Sequence, residues 1–229
     1  MSVTTGSLGT ADVPASSPSH GLDGVNFFLA AALAGFGPYV AAYLADQKWT
    51  QTDIGLVLTA GGVAGLLSQL PGGELLDKVR SKRAVIAVGA SIVIVSALIL
   101  AFYPRLPSVF IAIVLQGATG GFLGPAIAAI SLGLVGHAAL AERLGRNQRF
   151  ASTGALAGAA LMGLVGYLTS YQAIFLIVAL LGLPLFVALA RIRAVDIHFG
   201  RSRPFGRSWT LPISSPQGWP VMGILNQSI

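Results

Sequence analysis

Residues 71–83 read PGGELLDKVRSKR and stand between two long apolar stretches of the chain. The first stretch, residues 54–70, ends where this segment begins, and the second, residues 84–103, starts directly after it. A helix rises about 1.5 Å per residue and the hydrocarbon core of a bilayer is about 30 Å thick. Each stretch, with its flanks, is therefore long enough to cross a membrane. The segment is predicted to be a short basic loop between two membrane-spanning helices.

The composition of the whole chain is typical of a membrane protein. Hydrophobic residues make up 54% of the 229 residues, charged residues make up 10%, and the mean hydropathy is +0.77. Soluble domains carry about 25% charged residues, so this chain lacks the polar surface of a water-soluble protein. The net charge of +6 comes from Lys and Arg that fall between the apolar runs. The expected partner is therefore the lipid bilayer, and no nucleic-acid partner is predicted.

Six apolar runs are predicted to be membrane-spanning helices of an all-α fold. They cover residues 25–44, 53–76, 84–103, 109–135, 150–169 and 173–190. Residues 1–24 contain no Lys or Arg, which predicts a disordered cytosolic tail rather than a secretory signal. The transmembrane domain is predicted to cover residues 25–193. Residues 194–229 are predicted to be a polar cytosolic tail, either native or the product of a frameshift.

The Lys and Arg residues predict the orientation of these helices. The loops after the first and third runs hold only Lys48 and Arg105. The loops after the second, fourth and sixth runs hold the other twelve of the 14 cations: Lys78, Arg80, Lys82, Arg83, Arg143, Arg146, Arg149, Arg191, Arg193, Arg201, Arg203 and Arg207. Cytosolic loops carry an excess of Lys and Arg. Both termini are therefore predicted to be cytosolic, in a multi-pass protein of the inner (cytoplasmic) cell membrane.

The basic loop also carries a motif of the form G-x-L-a-D-R/K-x-G-R-R/K. The matching residues are Gly73, Leu75, Asp77, Lys78 and Lys82, and the departures are Arg80 for the inner Gly and Ser81 for the Arg after it. Here the chain resembles the major facilitator superfamily (MFS), whose second and third helices are joined by such a loop. The resemblance implies the N-terminal six-helix half of an MFS transporter, a half bundle of two three-helix repeats with inverted topology.

The resemblance further implies that this loop gates transport. In the family, the Gly of the motif packs against a helix of the second half, and the Asp makes charge and helix-end contacts that latch the outward-facing state. Gly73 and Asp77 hold those two positions. The predicted gating loop comprises Gly73, Asp77, Lys78, Arg80, Lys82 and Arg83. The alternative is a basic cluster that only sets the membrane orientation, with Asp77 capping the third helix.

Two Gly-Pro sites predict an internal repeat. Residues 35–44 read GFGPYVAAYL and residues 121–132 read GFLGPAIAAISL, at similar depths of the first and fourth runs. Interrupted helices at corresponding positions of two repeats point to a transporter binding site. The alternative is the general likeness of helices rich in Gly and Ala. The residues predicted to break or pack these helices are Gly37, Pro38, Gly117, Gly121, Gly124, Pro125, Gly154 and Gly158.

Polar side chains near these sites are the predicted contacts of a substrate. They are Asn26, Tyr39, Tyr43, Gln116 and Thr119. The alternative for each is a hydrogen bond between neighbouring helices, which is the commoner role of such residues in membrane proteins.

Two further motifs of the family are incomplete. The fourth run resembles R-x-x-Q-G-x-G at Gln116 and Gly117, but Ile113 stands where relatives carry an Arg associated with proton coupling. The fifth run resembles the antiporter signature G-x-x-x-G-P-x-x-G-G, but Ala159 replaces the Pro and Met162 replaces a Gly. Proton-driven exchange and antiport are therefore not predicted.

The predicted function is transmembrane transport of a small solute by a secondary transporter. This chain is expected to be truncated, or to act only with a second six-helix half or a second copy. The alternative is a non-transporting membrane scaffold or regulatory subunit. No enzyme, metal site or cofactor is predicted, because His20, His137 and His198 lack partners at metal-binding spacing and no P-loop is present. The chain also contains no Cys.

Overall fold

Seven α-helices form the part of the chain that the structure describes. The computed structural model describes residues 17–79 and 81–192. The helices are α1 (Ser17–Leu33), α2 (Gly37–Asp46), α3 (Gln51–Lys78), α4 (Lys82–Phe102), α5 (Leu106–Val135), α6 (Leu140–Leu168) and α7 (Tyr171–Ala190). Because α1 and α2 together make one span, six spans are long and apolar enough to cross a membrane. The predicted all-α membrane fold is confirmed. Residues 1–16 and 193–229, which include most of the predicted N-terminal tail and all of the predicted C-terminal tail, lie outside the described residues.

Two clusters of buried side chains define the two ends of the bundle. Leu22 of α1, Ile86 of α4 and Leu185 of α7 lie in one cluster, and Tyr43 of α2 and Phe175 of α7 lie in the other. The start of α1 thus packs beside the start of α4 and the end of α7, so consecutive spans run in opposite directions. We call the end with the first cluster the basic end. It holds Lys78, Lys82, Arg83, Arg143, Arg146, Arg149 and Arg191, against Lys48 and Arg105 at the opposite end.

The spans pack as two three-helix repeats, α1–α4 and α5–α7. The most extensive contacts join α3 to α5 and α1 to α6, followed by α4 with α5 and α1 with α7. If α1 corresponds to α5, α3 to α6 and α4 to α7, the contact of α3 with α5 corresponds to that of α6 with α1. In the same way, the contact of α4 with α5 corresponds to that of α7 with α1. Because a repeat has three spans, the second repeat crosses the membrane in the opposite direction to the first. The packing is therefore that of two inverted repeats, as predicted.

Glycines make the closest approaches between the repeats. Such approaches include Gly61 with Ile113 and Gly65 with Gly117 between α3 and α5, and Gly154 with Phe27 and Gly158 with Ala31 between α6 and α1. A Cβ atom at Gly158 would lie 2.5 Å from the carbonyl oxygen of Ala31, too close for any real side chain. Small residues four apart let helix backbones touch. Two such pairs serve corresponding helices of the two repeats.

The first Gly-Pro site interrupts its span. α1 ends at Leu33 and α2 begins at Gly37, with Pro38 in the first turn of α2. The backbone N–H of Phe36 donates to the carbonyl of Leu33 at 3.1 Å. The acceptor lies three residues back in the chain, whereas in a continuing α-helix it lies four residues back. Proline has no N–H to donate and is favoured in a first turn, so the new helix begins there.

The second Gly-Pro site does not interrupt its span. Pro125 lies inside α5, which continues to Val135, so the break predicted at Gly124 and Pro125 does not occur. The proline withdraws the N–H that would bond to the carbonyl of Gly121, four residues earlier. That carbonyl oxygen faces Gly72 of α3 across a close contact. Membrane helices retain internal proline where a neighbouring helix packs against the affected turn.

Two helices begin earlier than the apolar runs indicated. α1 begins at Ser17, so residues 17–24 are helical although a tail was predicted there, and α6 begins at Leu140 rather than near residue 150. Both extensions contain charged residues, which end an apolar run in the sequence. In the fold, Asp23 of α1 and Arg143 of α6 are buried against each other. The other span ends lie within three residues of their predicted positions.

Candidate functional site

A cavity of about 310 Å³ lies between α1 and α5, the first spans of the two repeats. Three of the five predicted substrate contacts line it, namely Asn26 of α1 and Gln116 and Thr119 of α5. The remaining lining is largely apolar, with Leu29 and Leu123 on facing walls. An apolar cavity with a few convergent polar groups is the usual form of a small-molecule site.

Gln116 differs from the other two polar side chains in its hydrogen bonding. Asn26 donates to the carbonyl of Leu22 at 2.8 Å, and Thr119 donates to the carbonyl of Gln116 at 2.6 Å, so both are engaged within their own helices. The side-chain amide of Gln116 makes no hydrogen bond to the described residues. Gln116 also lines a second cavity of about 380 Å³, which lies between α3, α5 and the break between α1 and α2, where Leu33 and Gly37 line it. Its amide can therefore donate to and accept from a bound solute.

The two predicted tyrosines lie elsewhere and tie helices together. The hydroxyl of Tyr39 donates to the carbonyl of Ala159 at 2.7 Å, which joins α2 to α6. Tyr43 is buried, donates to the carbonyl of Leu100 at 2.8 Å and meets the ring of Phe175 edge to face. Both match the alternative considered for them, a hydrogen bond between helices. Neither lines the α1–α5 cavity.

Most residues of the predicted gating loop lie in helices, so the loop between α3 and α4 is shorter than the sequence motif. α3 extends to Lys78, so Gly73, Asp77 and Lys78 belong to its last turns, and α4 begins at Lys82. Lys78 is exposed and pairs with Glu74 at 3.8 Å, one helical turn away. The side chain of Asp77 and the whole of Arg80 lie outside the described residues.

The start of α4 is capped from within the loop. The hydroxyl of Ser81 accepts from the backbone N–H of Ala84 at 3.3 Å, so Ser81 is the N-cap where Asp77 had been considered. Lys82 donates to the carbonyl of Val79 at 2.9 Å. The Nε atom of Arg83 is buried and has no hydrogen-bond partner among residues 17–79 and 81–192.

Gly72 and Gly73 at the end of α3 are expected to respond differently to substitution. A Cβ atom at Gly72 would lie 2.5 Å from the carbonyl oxygen of Gly121, whereas one at Gly73 would meet no atom within 4 Å. We expect Gly72→Leu to lower the free energy of unfolding by about 2 kcal/mol, because the helices must move apart. Gly73→Leu should change it by no more than about 0.5 kcal/mol. Unfolding of the purified chain in detergent micelles measures both, and equal losses would contradict the packing.

The structure shows an ion-pair cluster at the basic end that the sequence reading missed. Asp23 of α1 accepts from Arg143 at 2.7 Å and from Arg146 at 2.6 Å, both on the first two turns of α6. Asp23 and Arg143 are each only 5% exposed, whereas Arg146 is 46% exposed. Beside them, the buried amide of Asn147 donates to the hydroxyl of Ser131 on α5 at 2.7 Å. The cluster joins α1, α5 and α6 through polar contacts.

A periodic signal could have revealed part of this cluster. The buried residues of α6 are Arg143, Asn147, Gly154, Gly158 and Met162, which recur at helical spacing along one face. Arg143 and Asn147 thus continue the glycine face that packs on α1. A count of hydropathy alone assigns them to a basic loop, because it takes no account of which way a side chain points.

The outer faces of α3 and α6 differ from those of the other spans. These two helices are the least buried and also the least apolar of the six spans, whereas α4 and α7 are the most apolar. Exposed positions on them include Thr59 and Gly62 of α3 and Ser152 and Thr153 of α6. A face that points to lipid is expected to be strongly apolar. These faces also expose Leu66 and Leu156, so they mix polar and apolar side chains. Their polar positions are better suited to protein or water than to lipid.

Comparison with known proteins agrees with this arrangement. The sequence model described as Major Facilitator Superfamily matches residues 22–225. The chain belongs to the major facilitator superfamily. It is similar to two curated relatives named as uncharacterised MFS-type transporters, from Mycobacterium tuberculosis strains CDC 1551/Oshkosh and H37Rv. Each is 35% identical over 188 residues, which cover 80% of this chain and 44% of the relative.

Two consequences follow for this MFS chain. The predicted family is confirmed, and since its members are transporters, the chain is not expected to be an enzyme. The chain spans less than half the length of the curated relatives it matches. The six described spans correspond to one MFS-like half bundle.

Proposed function

We propose that this six-helix unit forms one side of a pathway for a small solute and acts with a second six-helix half. The observation that carries the proposal is the cavity between α1 and α5, where Asn26, Gln116 and Thr119 meet an apolar lining. In inverted-repeat transporters the substrate site lies near the middle of the membrane, where repeats meet. The family and the names of the two relatives support transport in general.

The second half is proposed to cover the faces of α3 and α6. These two helices are less buried and, taken over their whole length, less apolar than α4 and α7, so covering them with protein removes their polar positions from lipid. Either a different six-helix unit or a second copy of this chain could cover these faces. With the basic end in the cytosol, as the cations favour, two copies would share one orientation and could pair about an axis along the membrane normal.

Transport is proposed to follow from rocking of the two halves about the cavity. The gating loop lies at the basic end, where closure would seal one side of the pathway. Gly73 has open space around it, which leaves room for a helix of the second half to approach. This use of the loop is carried over from the family resemblance.

Cysteine labelling in native membranes tests the pathway, since the chain has no Cys of its own. Gly120→Cys places a thiol in open space on the cavity wall, and Leu180→Cys places one on the apolar outer face of α7. We expect a membrane-impermeant maleimide to label Gly120→Cys about tenfold faster or more, because the reactive thiolate forms in water and not in lipid. The measurement is the labelling rate in sealed membrane vesicles.

Equal and slow labelling at both positions would contradict the proposal. It would mean that the cavity faces lipid, and would favour the alternative of a membrane scaffold. Fast labelling that a solute slows would, in addition, identify a substrate.

A further inference from the structure

A third cavity, of about 310 Å³, forms a groove between α1 and α7 at the basic end. It is separate from the pathway cavity, which lies between α1 and α5. The floor of the groove is formed where the two helices approach closely. A Cβ atom at Gly24 would lie 2.9 Å from the Cβ of Ala188, and one at Gly21 would lie 3.0 Å from the carbonyl oxygen of Ala188.

The groove changes from cationic to apolar along its length. His20 and Arg191 stand at the mouth, both exposed to the surroundings. Phe28 of α1 and Pro184 of α7 line the deeper part. From Arg191 to Pro184 is seven residues of helix, or about 10 Å along the groove at 1.5 Å per residue. Each headgroup layer of a bilayer is about 5 to 7 Å thick, so a groove of this length can extend from the headgroups into the acyl chains.

Nothing within residues 17–79 and 81–192 pairs with the two groups at the mouth. Neither the imidazole of His20 nor the guanidinium of Arg191 makes a hydrogen bond or ion pair with another described residue. Asp23 is the carboxylate nearest to them along α1, but both of its oxygens are taken by Arg143 and Arg146. The mouth of the groove therefore presents positive charge and hydrogen-bond donors that the paired Asp23 carboxylate does not neutralise.

We propose that this groove binds an anionic phospholipid, with the phosphate at Arg191 and His20 and one acyl chain along Phe28 and Pro184. A guanidinium donates two parallel hydrogen bonds to phosphate oxygens. Basic pockets between membrane helices at the headgroup level bind anionic lipid headgroups. The apolar depth of the groove distinguishes a lipid from a free anion, which would leave Phe28 and Pro184 without a contact.

The bound lipid would contact the first and the last helix of the six-span unit at once. α1 belongs to the first repeat and α7 closes the second, and they meet at this groove. The proposal does not depend on transport, because the groove lies outside the pathway and its lining is formed by described residues of one chain.

Native mass spectrometry of the detergent-purified full chain tests the proposal. The probes are palmitoyl-oleoyl phosphatidylglycerol and phosphatidylcholine with the same acyl chains. We expect the chain to bind phosphatidylglycerol more tightly than phosphatidylcholine. Arg191→Gln should weaken phosphatidylglycerol binding about fivefold, as expected for the loss of one cation near a lipid phosphate. Arg191→Lys keeps the charge but loses the paired hydrogen bonds, so it should weaken binding less than Arg191→Gln does.

Two further variants separate charge from shape. Val187→Trp adds bulk at the exposed side of the groove without removing charge and should also weaken binding. Arg149→Gln removes an exposed cation at the same end but outside the groove, and should change binding by less than about twofold. A test with excess inorganic phosphate should leave the lipid bound.

Three results would overturn the proposal. One is phosphatidylglycerol binding that is unchanged in both Arg191→Gln and Val187→Trp. Another is equal affinity for phosphatidylglycerol and phosphatidylcholine in the unmodified chain. The third is displacement of the lipid by inorganic phosphate, which would indicate a free-anion site.

Discussion

Asp23→Asn is expected to lower the free energy of unfolding by about 3 kcal/mol, because it leaves the buried guanidinium of Arg143 without its counter-charge. The amide of asparagine can still accept a hydrogen bond, but it carries no charge to balance a cation that is only 5% exposed. Arg146 is 46% exposed, so solvent screens its share and the loss on that side is small. The measurement is unfolding of the purified chain in mixed micelles, followed by far-ultraviolet circular dichroism.

Asp46→Asn is the matched control for this variant. Asp46 ends α2, is exposed and makes no ion pair with a described residue, so its replacement should cost less than about 0.5 kcal/mol. The double variant Asp23→Asn/Arg143→Gln should recover part of the loss, because the unpaired buried charge is gone. If Asp23→Asn and Asp46→Asn lower the stability equally, the ion-pair cluster does not hold α1 to α6.

Gly117→Leu is expected to lower the free energy of unfolding by about 3 kcal/mol and to disturb the α3–α5 contact. A Cβ atom at Gly117 would overlap the backbone of Gly61 on α3, and backbone cannot move aside as a flexible side chain can. The two helices would have to separate along one of the most extensive contacts of the fold. The same micelle unfolding experiment measures the effect.

Gly120→Leu provides the control on the same helix. A Cβ atom at Gly120 would meet no atom within 4 Å, and leucine is the better helix former, so the stability should hold or rise slightly. In the corresponding contact of α6 with α1, Gly154→Leu should also lower the stability, because a Cβ atom there would overlap the backbone of Phe27. Equal stability of the Gly117→Leu and Gly120→Leu variants would refute the close α3–α5 approach.

Asp23→Asn and Gly117→Leu test two different kinds of contact that hold the helices of the two repeats together. α6 is held to α1 by a charged cluster at the basic end and by the glycine pair Gly154 and Gly158 nearer the middle. α3 approaches α5 closely at Gly61, Gly65 and Gly72, with no charged pair between them among the side chains that the structure describes. In a bilayer, apolar side chains gain little by leaving lipid for protein, so close backbone packing and polar contacts carry helix association. The repeats are therefore similar in geometry and different in chemistry.

Much of the fold could be predicted because membrane insertion depends on local properties of the chain. The length of an apolar run and the placement of Lys and Arg predicted the six spans and their alternation. The motif around Gly73 and Asp77 indicated the family. The ends of α1 and α6 were missed because charged residues lower the hydropathy of a segment even where they are buried in pairs, as Asp23 and Arg143 are.

The sequence by itself determined the six spans, their alternating direction and the membership of the family, since each of these follows from neighbouring residues. Only the tertiary structure decided which polar residues meet. In the fold, Asn26 lies in one cavity with Gln116 and Thr119. Tyr39 and Tyr43 instead form hydrogen bonds between helices. Asp23 pairs with Arg143, 120 residues away in the chain. The physical reason is that such contacts depend on how helix faces turn toward each other. Rotation and approach are set by small residues on both partners at once, such as Gly61 with Gly117, and one helix alone does not contain that information.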